Sequence, residues 1–123
     1  GPLTEAIQMF LEMIGGGLRP SPVTMVSLLK ACGESGLKKV GMCAHGCVLV
    51  LGMGNDVFVL TSLVDMYSNL GDTDRAALVF NSMSSRSLIS WNAIISGCIQ
   101  NGMIPESFAL FRRLVQSGFG FDS

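Results

Sequence analysis

Two alternating intervals, 35 and 31 residues, run through this chain, and that periodicity restricts its architecture more than any other feature. Gly36, Gly71 and Gly102 are separated by 35 and 31 residues, and Ser21, Asp56 and Ser87 show the same two spacings. Gly17 and Gly52 stand 35 apart, and Gly118 follows after a further 66. Apolar residues recur in the same register: Met25, Leu28, Leu29 and Cys32, then Leu60, Leu63, Val64 and Tyr67, then Trp91, Ile94, Ile95 and Cys98. Each set occupies i, i+3, i+4 and i+7, which is one stripe of a helix and not one face of a strand.

Start and stop signals frame these stripes. Ser21 ahead of Pro22 reads as an N-cap followed by proline at the first helical position, and Asp56 and Ser87 are capping residues at the equivalent places. Gly36, Gly71 and Gly102 suit the left-handed residue that follows a helix end. A second helix then begins, with Asp72 and Pro105 marking two of the starts. It carries Ala76, Val79, Phe80 and Met83 in one repeat, and Phe108, Leu110, Phe111 and Leu114 in another. Ala6, Ile7, Met9, Phe10 and Met13 match this second helix, so the chain reads as a fragment that opens halfway through a repeat. Gly1-Pro2 resembles a protease scar. The expected fold is all-α: about seven helices in helix–turn–helix units that cannot bury an apolar face singly and therefore stack into a right-handed α-solenoid. The last second helix, with Phe108, Phe111, Phe119 and Phe121 nearby, would lack a cover, which predicts self-association through exposed solenoid ends.

Composition narrows the function classes. With 49% hydrophobic and 14% charged residues the chain can build a core, and its apolar runs are interrupted before the roughly 18 residues of a membrane span. Eight basic against nine acidic residues give no global field to hold nucleic acid, so any such binding must be local. Cys32, Cys43, Cys47 and Cys98 are too few and too irregular for a disulfide framework and fit a reducing compartment. Around Cys43 and Cys47, His45 points to another side of the helix and no second ligand pair exists, so no metal site and no cofactor are expected. There is one histidine, no paired carboxylates, no phosphate loop and no deaminase signature: the chain is not expected to be an enzyme.

What remains is the surface of each first helix that packing leaves over. Val23, Val26 and Lys30 lie roughly 140° from the core stripe at 100° per residue, as do Phe58, Thr61 and Asp65, and then Ile89, Asn92 and Ser96. Stacking lines these three sets along one concave face. Trp91 shares the packing stripe with Ile94 and Ile95 and is expected in the core; Asp65 and Tyr67 face different ways, to surface and core. Residues 40–54, with Val40, Met42, Val48, Val50, Leu51 and Met53, carry more apolar surface than one stripe needs.

The segments Ala6-Ile7-Gln8-Met9-Phe10-Leu11-Glu12-Met13, Gly17-Leu18-Arg19-Pro20, Leu28-Leu29-Lys30-Ala31-Cys32, Leu63-Val64-Asp65-Met66-Tyr67 and Ser90-Trp91-Asn92-Ala93-Ile94-Ile95-Ser96-Gly97 resemble pentatricopeptide repeat proteins of plant organelles, in the subclass that mixes repeat lengths. Tetratricopeptide arrays, the nearest look-alike, keep a 34-residue period and a different aromatic pattern. The resemblance implies the end of one motif over 1–21, a long motif over 22–56, a short one over 57–87 and a standard one over 88–122, with Ser123 opening the next.

In that family the concave face binds single-stranded RNA, one base per motif. Carried over, the base-reading pairs are Val26 with Asp56, Thr61 with Ser87, and Asn92 with Asp122, and Val23, Phe58 and Ile89 flank the bases. Asn92 with Asp122 resembles the uracil-preferring combination, and Thr61 the purine-selecting choice, while Ser87 stands where Asp or Asn is usual and Val26 offers no hydrogen bond. Ser21, Asp56 and Ser87 double as N-caps. The resemblance further implies an RNA-processing factor of mitochondria or chloroplasts, most often one that specifies a cytidine for C-to-U editing, with the chemistry supplied outside this chain. Its rival is a protein-binding scaffold on which accessory editing factors dock at the long motif. A third possibility is a degenerate array with a spacer role, to which the Thr61–Ser87 pair and the low basic charge point.

Overall fold

In the computed structural model, residues 4, 5, 8, 11, 12, 15–17 and 19–118 are described. Among the described residues, positions 4, 5, 8, 11, 12 and 15 are helical, and six helices follow: α1 (Pro22–Glu34), α2 (Lys38–Val50), α3 (Val57–Asn69), α4 (Thr73–Ser82), α5 (Leu88–Gln100) and α6 (Ile104–Gln116). Ala6, Ile7, Met9, Phe10 and Met13, the stripe of the expected first helix, lie outside the described residues, as do Phe119, Phe121 and Asp122. No helix among the described residues is long and apolar enough to cross a membrane.

The helix ends explain the repeat intervals. Ser21, Asp56, Asp72 and Ser87 are the N-caps of α1, α3, α4 and α5, each accepting the backbone N–H of the third residue of its helix. At the other ends, the positive-φ residues are Gly17, Gly36, Gly52, Gly71, Gly102 and Gly118, the same six glycines that mark the period. After α2, α3 and α5 the backbone closes in a Schellman turn: Met53 N–H reaches Val48 O at 2.9 Å, Asp72 N–H reaches Tyr67 O at 2.8 Å, and Met103 N–H reaches Cys98 O at 2.8 Å. Only glycine holds that left-handed residue without strain, so the marker is a backbone requirement. α4 stops without one. There the Arg86 guanidinium folds back, its Nε donating to Phe80 O at 3.1 Å while its plane covers the Phe80 ring at 4.6 Å.

Stacking is uneven between the two layers. α1 packs on α3 and α3 on α5, whereas α2, α4 and α6 pack on first helices and meet one another through long side chains, as where Arg113 of α6 donates to Asn81 Oδ1 of α4 at 3.4 Å. Closely stacked first helices and splayed second helices bend the array, which puts α1, α3 and α5 on the inside of the curve. α3, enclosed on both sides, buries Val59, Leu60, Leu63, Val64, Met66 and Tyr67, a wider band than the four-residue stripe the sequence suggests. Trp91 is 4% exposed and meets Phe80 edge-on with centroids 4.8 Å apart. Fully burying side chains of this size contributes about 1.5–3 kcal/mol each, so the shared band holds neighbouring repeats together.

Candidate nucleic-acid interface

The inner face presents large apolar side chains to solvent at regular intervals. Val23 is 77% exposed on α1, Phe58 73% on α3 and Ile89 63% on α5. All three sit two residues after an N-cap, in the first turn, so the stacked helix starts place them in one row along the array. Between Phe58 and Ile89 opens a cavity of about 330 Å³, lined also by Val26, Val57, Thr61, Ser62, Asp65 and Ser87. Six residues singled out in the sequence, from three different repeats, thus share one cavity: Val26, Phe58, Thr61, Asp65, Ser87 and Ile89. A second cavity of about 330 Å³ continues between α1 and α3, lined by Val26, Lys30, Ser62, Asp65, Met66 and Asn69.

The polar members of the first cavity are held from behind. Thr61 is 7% exposed, and its hydroxyl donates to Ser90 Oγ at 3.1 Å. Ser90 is fully buried; its Oγ accepts the Ser87 N–H at 3.0 Å and lies 3.0 Å from Ser87 Oγ, while Ser90 N–H donates to Ser87 Oγ at 3.2 Å. Asp56 caps α3 by accepting the Val59 N–H at 3.0 Å. Val26 is half-buried and packed on the core. Asn92 and Ser96 are exposed on α5, and Lys30 on α1. Asp65 is exposed beside the cavities, yet partial burial pushes its carboxyl above the usual range. Asp122, the expected partner of Asn92, lies outside the described residues.

Ser90 has no place in the expected recognition pairs, and the spacing Ser87-x-x-Ser90 was its only signal: a capping box with serine in place of the usual Glu or Gln. Ser62 and Asn69 line the second cavity without any pattern that marks them.

Elsewhere the side chains do other work. His45 Nδ1 bonds the Tyr67 hydroxyl at 2.7 Å, joining α2 to α3, and burial lowers the imidazole pKa. Cys32 is buried, which pushes its thiol up to about 11, while Cys43 is exposed and Cys47 half-buried. Among the described residues no three His, Cys, Asp or Glu side chains converge as a metal set. The apolar surface expected over residues 40–54 divides: Val40 and Val48 are core, Leu51 and Met53 pack against it, and Met42 and Val50 stay exposed with Leu49. Val50 and Leu51 line an apolar hollow of about 560 Å³ with Cys43, Gly46, Cys47, Gly17 and Arg19. At the far end, Phe108 and Phe111 of α6 are 67% and 48% exposed.

A family model for the PPR repeat matches residues 58–88 and 89–119. Curated relatives from Arabidopsis thaliana align along nearly the whole chain. A chloroplastic pentatricopeptide repeat-containing protein is 34% identical over 96% of this chain and 22% of its own length. Another chloroplastic one is 40% identical over 93% of this chain and 16% of its own. A mitochondrial one is 36% identical over 96% and 26%. The chain therefore spans only about a quarter or less of these relatives, 26% at most. The two consecutive repeat matches, each covering a capped first helix and its antiparallel partner, show that the chain belongs to the pentatricopeptide repeat family.

Proposed function

We propose that the inner face of α1, α3 and α5 binds single-stranded RNA, one base per repeat, as part of an organellar RNA-processing factor that specifies C-to-U editing sites. The observation that carries this is the cavity between Phe58 and Ile89, where two exposed apolar walls flank the hydroxyls of Thr61 and Ser87. An unstacked base needs that combination: apolar faces to stack on and polar groups at its edge. In this reading 22–56, 57–87 and 88–122 are the long, short and standard motifs. Asn92 with Asp122 reads a uracil, Thr61 with Ser87 reads the adjacent base, and Val26 with Asp56 contributes shape but no base-edge bond from the valine. Val23, Phe58 and Ile89 flank the bases. The array is the recognition element and the chemistry belongs to another domain or partner. The chloroplastic and mitochondrial names of the relatives support an organellar address.

With a net charge of −1 the face attracts phosphates weakly, so the chain alone should bind at micromolar affinity or worse, falling steeply with salt. The test is a titration at two salt concentrations against short single-stranded RNAs in which one variable base is walked along a constant sequence, repeated with Asn92→Ala. A uracil preference that Asn92→Ala removes supports the reading. Equal binding of all four bases, unchanged by Asn92→Ala, moves the weight to a protein-docking scaffold, which the exposed Met42, Leu49 and Val50 of α2 favour as the second reading.

A further inference from the structure

Lys30, Asp65 and Ser96 hold the same register position in successive repeats, 35 and 31 residues apart, yet carry a positive charge, a negative charge and a hydroxyl. Two of them reach into one place: Lys30 and Asp65 both line the cavity between α1 and α3. They form no ion pair there, since the ion pairs of the described residues are those of Asp72 with Lys38 and Arg75. Asp65 also lines the neighbouring cavity between Phe58 and Ile89, so its side chain marks the boundary between the two. Burial raises its pKa, and among the described residues neither a charge nor a hydrogen bond offsets that rise. A carboxylate partly stripped of water and left without a partner is an acceptor in want of a donor.

We infer that the cavity between α1 and α3 is a sugar–phosphate site, in which Asp65 accepts the 2′-hydroxyl of the nucleotide whose base enters the Phe58–Ile89 cavity and Lys30 meets the adjoining phosphate. The inference rests on the RNA-binding reading above and extends it from the bases to the backbone. A carboxylate on a face that meets a polyanion repels the strand unless some group of the strand donates to it. A phosphodiester carries no proton at neutral pH, so the 2′-hydroxyl is the one donor that an RNA backbone has to give. A cation and a carboxylate held apart across one cavity match the two ends of a ribose–phosphate unit, the charged phosphate and the sugar proton. DNA brings the phosphate without that proton and leaves Asp65 unpaired beside it, so the same carboxylate that holds RNA rejects DNA. Ser96 carries no charge at the matching place on α5, which confines the sugar requirement to one nucleotide.

The experiment titrates the wild-type chain, Asp65→Ala, Asp65→Asn and Lys30→Ala with single-stranded RNA along which one 2′-fluoro nucleotide is walked. Fluorine keeps the ribose pucker of RNA and removes the hydroxyl proton. The wild type should lose about tenfold at one position, the size of one hydrogen bond to a charged group. Asp65→Ala should bind the fluorinated and unmodified strands within about twofold there, while Asp65→Asn, an uncharged acceptor, should keep part of the discrimination. Lys30→Ala should lower the slope of log affinity against log salt by about 0.7, one phosphate contact on a single strand. Lys30 and Asp65 are both exposed, so these substitutions leave the core intact.

A carboxylate that is only an adverse charge gives a different pattern: Asp65→Ala then tightens every strand alike and leaves the sensitive position sensitive, which overturns the site. A walk with no sensitive position, while Asn92 still selects its base, overturns it too. An unchanged salt slope in Lys30→Ala removes the phosphate half. Equal binding of all four bases at every position by the wild type, Asn92's included, overturns the RNA reading itself; base and sugar walks on the same proteins therefore separate the two failures.

Discussion

Three side-chain hydrogen bonds cross from α3 to α5, whereas among the described residues none joins α1 to α3. At the upper end of the α3–α5 junction Thr61 donates to Ser90; at the lower end Asn101 Nδ2 donates to Ser68 O at 3.0 Å and Gln100 to Asn69 Oδ1 at 3.1 Å. One repeat earlier the positions matching Thr61 and Ser90 are Val26 and Val59, and that matching Asn101 is Leu70. The volumes are exchanged too. Gly33 of α1 faces Met66 of α3, with the Met66 Cα 3.3 Å from where a Cβ would stand. At the equivalent places of the next junction Ser68 of α3 faces Gly97 of α5, where a Cβ would overlap the Ser68 side chain. One fold thus tolerates an apolar junction with a small-on-large contact and a polar one with the sizes reversed, because only the summed volume and the pairing of buried groups are constrained.

The contact at Gly97 is the place where that exchange breaks most easily. Gly97→Met gives α5 the residue that α3 carries at the matching position, but into a partner that is not glycine. Overpacking of this kind should cost about 3 kcal/mol, read as a fall in the urea midpoint at unchanged m-value. Ser68→Gly/Gly97→Met restores the small-on-large arrangement of the first junction and should recover part of the loss. Strict additivity of the two single costs would mean that the two junctions are not interchangeable in volume.

Thr61→Val makes the second junction apolar at its upper end, as the first one is. The shapes match, so the expected cost is one buried hydrogen bond, about 1 kcal/mol in the same melts. No change in midpoint would mean that the polar stitch adds specificity without stability.

What the sequence disclosed and what it hid follow the same division. Caps and turn glycines were legible because each depends on residues adjacent in the chain: Ser21, Asp56, Asp72 and Ser87 cap, and all six period-marking glycines hold positive φ. The core stripes were legible from period alone. Burial of Thr61 was not, since an inner-face position at the α3–α5 junction is closed by a neighbour 29 residues away, and helical phase says nothing of that neighbour. Ser90 stayed hidden for the same reason, and so did the division of residues 40–54 into core and surface, which depends on which side of α2 the adjacent helices take. Within the candidate site, the row Val23, Phe58, Ile89 follows from helix phase, while the hydrogen bonds that Ser90 makes behind Thr61 and Ser87 need three-dimensional proximity.

The apolar junction has its own polar tie, placed one layer out. His45 of α2 bonds Tyr67, and burial holds its folded pKa below the ordinary 6.5. An imidazole with a lowered folded pKa binds more protons when the chain is unfolded, so its contribution is full above about pH 6.5 and is lost as pH falls towards the folded value. Asp72 and Tyr67 shift away from this window. Burial alone would raise Asp72, but the hydrogen bonds from Arg75 and the charges of Lys38 and Arg75 outweigh it and hold the carboxyl below 3.8; the Tyr67 phenol is raised above 10. Melting temperature should therefore fall modestly between about pH 7.5 and pH 5.5, and His45→Gln should flatten that slope. A slope unchanged in the variant would place the acid sensitivity outside the α2–α3 tie.

The smallest expected effect sharpens the volume argument at a single atom. Ser68 is 3% exposed, and its Oγ has no hydrogen-bond partner, while its own backbone carbonyl is taken by Asn101. Glycine at 97 admits the serine side chain, but the glycine has nothing to pair with its hydroxyl. Removing an unpaired buried hydroxyl is neutral or favourable, so Ser68→Ala should leave stability unchanged or raise it by up to about 1 kcal/mol. Such a gain would identify Ser68 as the unresolved cost of reversing the sizes at this junction, a cost the Gly33–Met66 contact does not carry. A loss of similar size would instead mean that the hydroxyl is satisfied in solution, and that close packing between α3 and α5 depends on it.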